Sequence, residues 1–189
     1  MNKIARVALI VFIAIIVVSI LFALFMFIAF GGLTFLVYVP KPEITYGEFP
    51  IKLTYELDGE IIVIEDIVVC EFDGFINRGT AGKARKWNTK LKSGEELILL
   101  DLRDLNQENE LGQTMVELYF YYGTGAYYMG DTDNPFAREA QSFDWIDYKY
   151  KTKDGKIGYS GYKAEEAFEK YKIRVISWEC APPIKNEFR

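Results

Sequence analysis

The N-terminal part of the chain has an uninterrupted apolar pattern. From Val7 to Val39 there is no charged residue, a run of about 33 positions, whereas a helix needs roughly 20 residues to cross a hydrocarbon core of about 30 Å. The most apolar part, Val7 to Phe30, is long enough for a complete span with some tilt. The pattern therefore predicts one N-terminal transmembrane helix.

The charges beside this run predict its orientation. Lys3 and Arg6 precede it, and basic residues at that place favour a cytoplasmic N-terminus. We therefore expect residues 1–39 to form a cytoplasmic tip and a transmembrane signal anchor, and residues 40–189 to form one extracytoplasmic β domain. This organisation predicts a single-pass protein of the cell membrane.

A cleaved signal peptide is the competing interpretation. Ala29 and Gly31 occupy small-residue positions of the kind that a signal peptidase requires. The apolar run is, however, about twice as long as the roughly 7–15 residues of a usual signal peptide core. Its length favours a permanent anchor.

Beyond Pro40 the apolar residues recur with a period of two, which is typical of half-buried β-strands. Ile44–Leu57 alternates in this way, Asp58-Gly59 is a strong hairpin signal, and Glu60–Phe72 returns as a central strand. Further strands are predicted at Arg85–Trp87, Glu95–Leu102, Thr114–Tyr122, Ala126–Met129, Trp145–Lys151, Ile157–Tyr162 and Lys172–Cys180.

Helical signals are few. Lys163–Tyr171 places apolar residues at a helical spacing and predicts a short helix, and Asn134-Pro135 predicts a helical turn towards Gln141. Gly123–Gly125 is predicted as the tip of an aromatic hairpin. Strands joined by short turns, without βαβ alternation, predict a mainly β fold, an antiparallel β-sandwich or open barrel with one or two short helices.

Charge and composition argue against several classes of function. The net charge is -5 and the segment before Pro40 carries +2, so the remainder carries -5 minus 2, or -7. Nucleic-acid binding requires a basic surface, and this excess of acid argues against it. The chain contains no His, which removes the Ser-His-Asp and Cys-His systems and the usual zinc sites. We assign no catalytic residue and no cofactor, and the composition argues against an enzyme without excluding one.

Carboxylates supply the remaining candidates for catalysis and metal binding. Asp144, Asp147 and Glu117 are candidates for a pair that hydrolyses a glycan. The run Asp131–Asn134 begins like a calcium loop, but Pro135 follows where an oxygen ligand is required. We expect a solvated turn there and no metal site.

Cys70 and Cys180 lie near the ends of two predicted strands. Outside the membrane a disulfide between them can persist, and it would close a loop of about 110 residues. Two unbonded thiols that pack as small hydrophobic side chains are the alternative.

Aromatic side chains supply the strongest hint of a binding surface. Tyr and Trp cluster on adjacent predicted strands, and the alternation leaves about half of them facing outward. Exposed rings of this kind contact sugars, peptides or proteins. Core packing is the alternative for these rings. The candidate binding face consists of Tyr119, Tyr121, Tyr127, Trp145 and Tyr148.

Three segments carry a resemblance to a known family. Pro42–Pro50 (PEITYGEFP), Lys52–Glu56 (KLTYE) and Val69–Phe75 (VCEFDGF) resemble a family of uncharacterised membrane-anchored extracytoplasmic proteins of Gram-positive gut bacteria. The resemblance implies a bacterial cell-surface location and brings no activity with it. It also argues against the disulfide, because such bacteria use few of them.

These observations predict a membrane-tethered cell-surface module that binds a protein or a cell-envelope component through its aromatic face. One alternative is an envelope glycan hydrolase that uses a carboxylate pair. Another is an accessory subunit of a membrane complex, whose anchor packs against a second membrane protein through Ser19 and its neighbours. Nucleic acid is not expected as a partner.

Overall fold

The computed structural model describes residues 2–29, 38–77, 82–105 and 107–189. The chain falls into two compact units. One contains Met1–Lys41 and Gly74–Arg85, and the other contains Pro42–Asp73 and Lys86–Arg189. They are named the anchor unit and the sheet unit below.

The anchor unit begins with helix α1, Lys3–Ala29. Within it, Leu9–Ala29 is long and apolar enough to span a membrane, and it is not buried by other parts of the chain. The predicted N-terminal apolar helix is therefore confirmed. Gly31, one of the two small residues of the alternative cleavage site, lies outside the described residues.

Eight strands and two further α-helices follow among the described residues. The strands are β1 (Tyr46–Leu57), β2 (Glu60–Asn77), β3 (Lys83–Leu91), β4 (Ile98–Asp101), β5 (Thr114–Tyr119), β6 (Trp145–Lys151), β7 (Ile157–Lys163) and β8 (Ile173–Cys180). The helices are α2 (Gly125–Tyr128) and α3 (Ala164–Tyr171). The strands form two antiparallel sheets, in the orders β3-β2-β1-β8 and β4-β5-β6-β7.

The turn between β1 and β2 shows how the local sequence sets the register. Asp58 and Gly59 have φ values of 52° and 86°, the left-handed conformation that a tight two-residue hairpin turn favours. From Leu57 opposite Glu60, β1 then pairs with β2 over its whole length. The predicted hairpin is confirmed.

The inward-facing side chains of both sheets share a hydrophobic core in the sheet unit. Leu53 and Val68 come from the first sheet, Leu118 and Ile146 come from the second, and all four side chains are buried. Helix α3 adds Ala167 to the same core. Antiparallel sheets around a common core confirm the predicted mainly β fold class.

The segment after β5 differs from the predicted aromatic hairpin. Instead of a strand at Ala126–Met129, residues Gly125–Tyr128 form helix α2. Thr124 precedes the helix in an extended conformation, and its side-chain oxygen accepts a hydrogen bond from the N–H of Tyr127 at 3.4 Å. This cap starts the helix, and the helical turn places Tyr128 fully in the core.

The predicted helical turn from Asn134 to Gln141 is also wrong, because these residues form turns and irregular chain. The Asn134 side chain is engaged in a local network instead of capping a helix. Its Oδ1 accepts the N–H of Phe136 at 3.1 Å, and its Nδ2 donates to Asp131 at 2.8 Å. Such side-chain bonds stabilise a turn in place of a helix.

Candidate functional site

The outer face of the second sheet carries the candidate site. Along β6, Tyr148 is buried, while Trp145, Asp147 and Lys149 lie on the opposite face. Tyr148 stacks on Tyr162 in the core, with ring centroids 4.5 Å apart. It is therefore not part of the outer face, because a step of three residues along a strand changes the side of the sheet.

Tyr119 and Tyr159 form an aromatic pair on this outer face. Tyr119 ends β5 opposite Asp147, and its ring meets that of Tyr159 on β7 edge-to-face, with centroids 6.4 Å apart. Tyr159 is 63% exposed. Burial and the nearby Asp147 carboxylate raise the pKa of Tyr119 to about 12, so its hydroxyl keeps its proton at neutral pH. Sequence reasoning missed Tyr159, although the alternation along β7 places it on the outer face.

Trp145 lies across β7 because that strand carries Gly161. A Cβ atom at Gly161 would stand 1.9 Å from Nε1 of Trp145, so only glycine leaves room for the indole ring. Burial raises the pKa of Asp147, and a hydrogen bond from the Trp145 side chain offsets only part of this rise. The Trp145 indole and the Asp147 carboxyl group are therefore hydrogen-bonded neighbours on the outer face.

Gln141 connects Trp145 to Tyr121. Its Oε1 accepts the N–H of Tyr121 at 3.1 Å, and its Nε2 donates to the carbonyl oxygen of Trp145 at 3.1 Å. Burial raises the pKa of Tyr121, and the Asp147 carboxylate contributes to the rise. Three predicted residues, Tyr119, Tyr121 and Trp145, therefore meet around Asp147.

Lys149 is the cationic centre of this face. Its Nζ lies 2.7 Å from Oε1 of the buried Glu117, and it also bonds Glu96. The ammonium group lies 5.4 Å from the ring centroid of Tyr119. Burial by itself would lower the pKa of Lys149, but the hydrogen bonds to Glu117 and Glu96 raise it above its ordinary value. The bond from Lys149 lowers the pKa of Glu96, so this pair is charged at neutral pH.

Part of this outer face borders a cavity of about 360 Å³, named the tyrosine cavity below. The volume lies at the lower end of the range of about 300–1,000 Å³ that is usual for small-molecule sites. Aromatic rings, a carboxylate and an ammonium group thus converge on one concave surface. The lining includes Tyr119, Tyr121, Tyr122, Tyr159, Glu96 and Lys149.

Tyr127 does not line the tyrosine cavity. It lies in α2, where its ring packs edge-to-face against that of Tyr128, with centroids 5.3 Å apart. Of the predicted binding face, Tyr119 and Tyr121 therefore line the cavity. Trp145 lies beside them on the same face of the sheet, and the other two tyrosines do not take part.

Cys70 and Cys180 are free thiols. Cys70 lies opposite Gly47 and Cys180 lies opposite Ile51, on the two strands that flank β1. Four residues along a strand span about 13 Å, whereas a disulfide needs Cα atoms within roughly 7 Å. The predicted bridge is therefore not formed. Burial raises the pKa of Cys70 to about 12, which makes this thiol a poor nucleophile.

Asp131 is fully buried and does not lie in a solvated turn as predicted. Its carboxylate accepts hydrogen bonds from Nε1 of Trp87 at 2.9 Å and from Nδ2 of Asn134 at 2.8 Å. This network ties the segment after α2 to β3. The described residues contain no group of three or more Cys, Asp or Glu that could hold a metal ion.

A larger depression of about 880 Å³ lies on the first sheet. Its cations already pair with carboxylates, since Lys52 lies 3.0 Å from Glu65 and Lys92 lies 3.0 Å from Glu48. No aromatic side chain is among its described lining residues. The tyrosine cavity therefore offers a ligand the richer set of contacts.

Comparisons of the chain with protein-family models, with curated proteins and with solved structures found no significant match. A function for this chain follows only from the residues of the site itself.

Proposed function

We propose that this chain is a membrane-tethered module that binds a saccharide of the cell envelope in the tyrosine cavity. The observation that carries the proposal is that Tyr119, Tyr121 and Tyr159 line one concave surface. The carboxylate of Glu96 lines the same surface. Tyrosine rings pack against the C–H faces of sugar rings, and carboxylates accept hydrogen bonds from sugar hydroxyl groups. A concave aromatic site fits a small ligand better than it fits a flat protein surface.

Charge narrows the class of ligand. Glu96, Glu117 and Asp147 outnumber the cation Lys149 on this face, and Lys149 is already engaged by two of these carboxylates. An anionic ligand would therefore meet repulsion without a free cation of this cluster to bind it. Neutral sugars and amino sugars match the site.

The apolar helix α1 supplies the tether. In the proposed topology the span is retained, the N-terminus with Lys3 and Arg6 is cytoplasmic, and the sheet unit is extracytoplasmic, where envelope saccharides occur. The resemblance to surface proteins of Gram-positive bacteria supports this location. We expect the protein to resist carbonate extraction from membranes. A reporter fused after Arg189 that is active only in the cytosol would contradict the topology.

Binding to insoluble cell-wall peptidoglycan tests the proposal. The full-length protein in detergent micelles should sediment with the polymer. Tyr159→Ala should weaken the affinity about tenfold, or ~1.4 kcal/mol, because an exposed ring that lines the cavity is lost. Tyr46→Ala is the matched control, since Tyr46 is an exposed tyrosine outside the tyrosine cavity. Equal sedimentation of wild type, variant and control would refute binding at this site.

A second candidate function is glycan hydrolysis by a carboxylate pair. Opposite pKa shifts favour it. Burial raises the pKa of Asp147, and the bond from Lys149 lowers the pKa of Glu96. A proton donor and an ionised partner on one face are two of the requirements of such chemistry. If the protein releases reducing ends from peptidoglycan, Asp147→Asn should abolish the release while sedimentation persists. Binding without any release would exclude the hydrolase.

The accessory-subunit alternative rests on α1, and Ser19 gives it no support. The Ser19 hydroxyl donates to the carbonyl oxygen of Ile15 at 2.9 Å, so its donor is satisfied within the helix. Co-purification of a second membrane protein at constant stoichiometry in mild detergent would favour the subunit role.

A further inference from the structure

The two compact units of this chain carry opposite charge. The anchor unit contains six basic residues, Lys3, Arg6, Lys41, Arg78, Lys83 and Arg85, and no Asp or Glu. The sheet unit therefore carries -5 minus 6, or -11. The whole chain has more acidic than basic residues, but the unit that contains its apolar helix has basic residues and no acidic ones.

Half of these cations lie in the part of the β2–β3 hairpin that belongs to the anchor unit, Gly74–Arg85. Its described residues, Gly74–Asn77 and Gly82–Arg85, are named the basic arm below. Lys83 places its Nζ 4.6 Å from the ring centroid of Phe75, so a cation and an aromatic ring form one amphipathic surface. Arg78 lies outside the described residues.

Arg85 ties the basic arm to the chain that leaves the helix. Its Nη1 donates to the carbonyl oxygen of Pro40 at 3.3 Å, and its side chain is buried. The chain is uncharged from Val7 to Val39, so Pro40 is the position at which it leaves the apolar run. Tyr38, just before it, is 78% exposed, as is typical of a ring at the level of lipid headgroups.

We propose that the basic arm docks on anionic lipid headgroups of the membrane that holds α1. The inference rests on the proposed anchoring of α1. Headgroup phosphates attract Lys and Arg near the surface, and an aromatic ring such as Phe75 is favoured at the same depth. The strongly acidic sheet unit is repelled by the same headgroups, so the favourable electrostatic contact with the lipid comes from the basic arm.

Hydrogen exchange of the full-length protein in lipid nanodiscs tests the docking. One set of discs contains phosphatidylglycerol and phosphatidylcholine in equal parts, and the other contains phosphatidylcholine alone. Amides of the basic arm should exchange about fivefold more slowly in the anionic discs. About 1 M salt, which shortens the screening length to roughly 3 Å, should remove the difference. Inorganic phosphate added to the neutral discs should not reproduce it.

A matched pair of variants locates the effect. Lys83→Glu should remove the slower exchange, whereas Lys153→Glu, in the exposed turn between β6 and β7, should retain it. Equal exchange of the basic arm in both kinds of disc at low salt would overturn the docking, even if Lys83→Glu does not fold. Slower exchange with inorganic phosphate alone would assign the arm to free anions and would also overturn it. Failure of the wild type to enter either disc would instead refute the anchor.

Discussion

Replacing Lys149 with methionine tests whether the ion cluster stabilises the second sheet. The Lys149 and Glu117 side chains are 16% and 8% exposed, whereas that of Glu96 is 58% exposed. Breaking a fully buried ion pair costs about 3–5 kcal/mol, and breaking an exposed pair costs less than about 1 kcal/mol. The buried Glu117 would lose its counter-ion and the exposed Glu96 would lose little. We therefore expect Lys149→Met to lower the free energy of unfolding by about 2–3 kcal/mol.

Thermal unfolding of the full-length protein in detergent, followed by tryptophan fluorescence, measures this loss. The expected decrease in Tm is about 5–10 °C for a domain of this size. The double variant Lys149→Met/Glu117→Gln should recover at least half of the decrease, because no buried carboxylate is then left without a partner. A single variant within about 1 °C of wild type, or a double variant no more stable than the single one, would refute the reasoning.

The pH dependence supplies an independent check of the same cluster. Lys149 lowers the pKa of Glu96, so this carboxylate stabilises the folded state above its unfolded pKa of about 4.3. The contribution is lost as the pH falls through the lower pKa of the folded state. The difference in Tm between wild type and Lys149→Met should therefore shrink below about pH 4. A difference that grows in acid would contradict the assignment.

Three further predictions follow from the packing of single residues. Gly161→Ala should displace the indole of Trp145, change the tryptophan emission maximum and weaken peptidoglycan sedimentation, because the new Cβ would stand 1.9 Å from Nε1; unchanged emission would contradict this. Asn186→Ala should cost about 1–2 kcal/mol and speed trimming by carboxypeptidase, since its side chain exchanges two hydrogen bonds with the backbone of Ile44; a wild-type trimming rate would count against it. Burial raises the pKa of Cys70 to about 12, above its unfolded value of about 8.5, so its contribution is complete at neutral pH and is lost as the pH rises towards 12. Tm should therefore fall across that range, and a flat profile would oppose the argument.

The elements that the sequence predicted well depend on neighbouring residues. The hairpin at Asp58-Gly59 needs only two residues with left-handed φ, and β6 at Trp145–Lys151 needs only seven alternating ones. The hairpin predicted after β5 was wrong because the structure of that segment does not depend on neighbouring residues alone. The pattern around Gly123–Gly125 is typical of a hairpin tip, but the cap at Thr124 and the burial of Tyr128 produce a helix. A local pattern does not show which aromatic side chain will be buried in the core.

The site was only partly accessible to sequence reasoning. The period of two could have separated Trp145 from Tyr148 and added Tyr159, because the parity along each strand is visible in the sequence. The cluster of Lys149 with Glu96 and Glu117 was not accessible. Its members come from three separate segments. The register of β5 against β6 places Glu117 opposite Lys149, and the segment before β4 brings Glu96 to the same ammonium group.

The sequence by itself determined the apolar helix long enough to span a membrane, the alternation of the strands and the mainly β fold class. These features depend on residues within a few positions of each other, whose hydrophobicity and φ preferences act locally. Only the tertiary structure decided that Tyr119, Tyr121 and Tyr159 share a cavity, and that Cys70 and Cys180 lie apart. Strand register and the packing of the sheets set those distances, and both are properties of residues far apart in the chain.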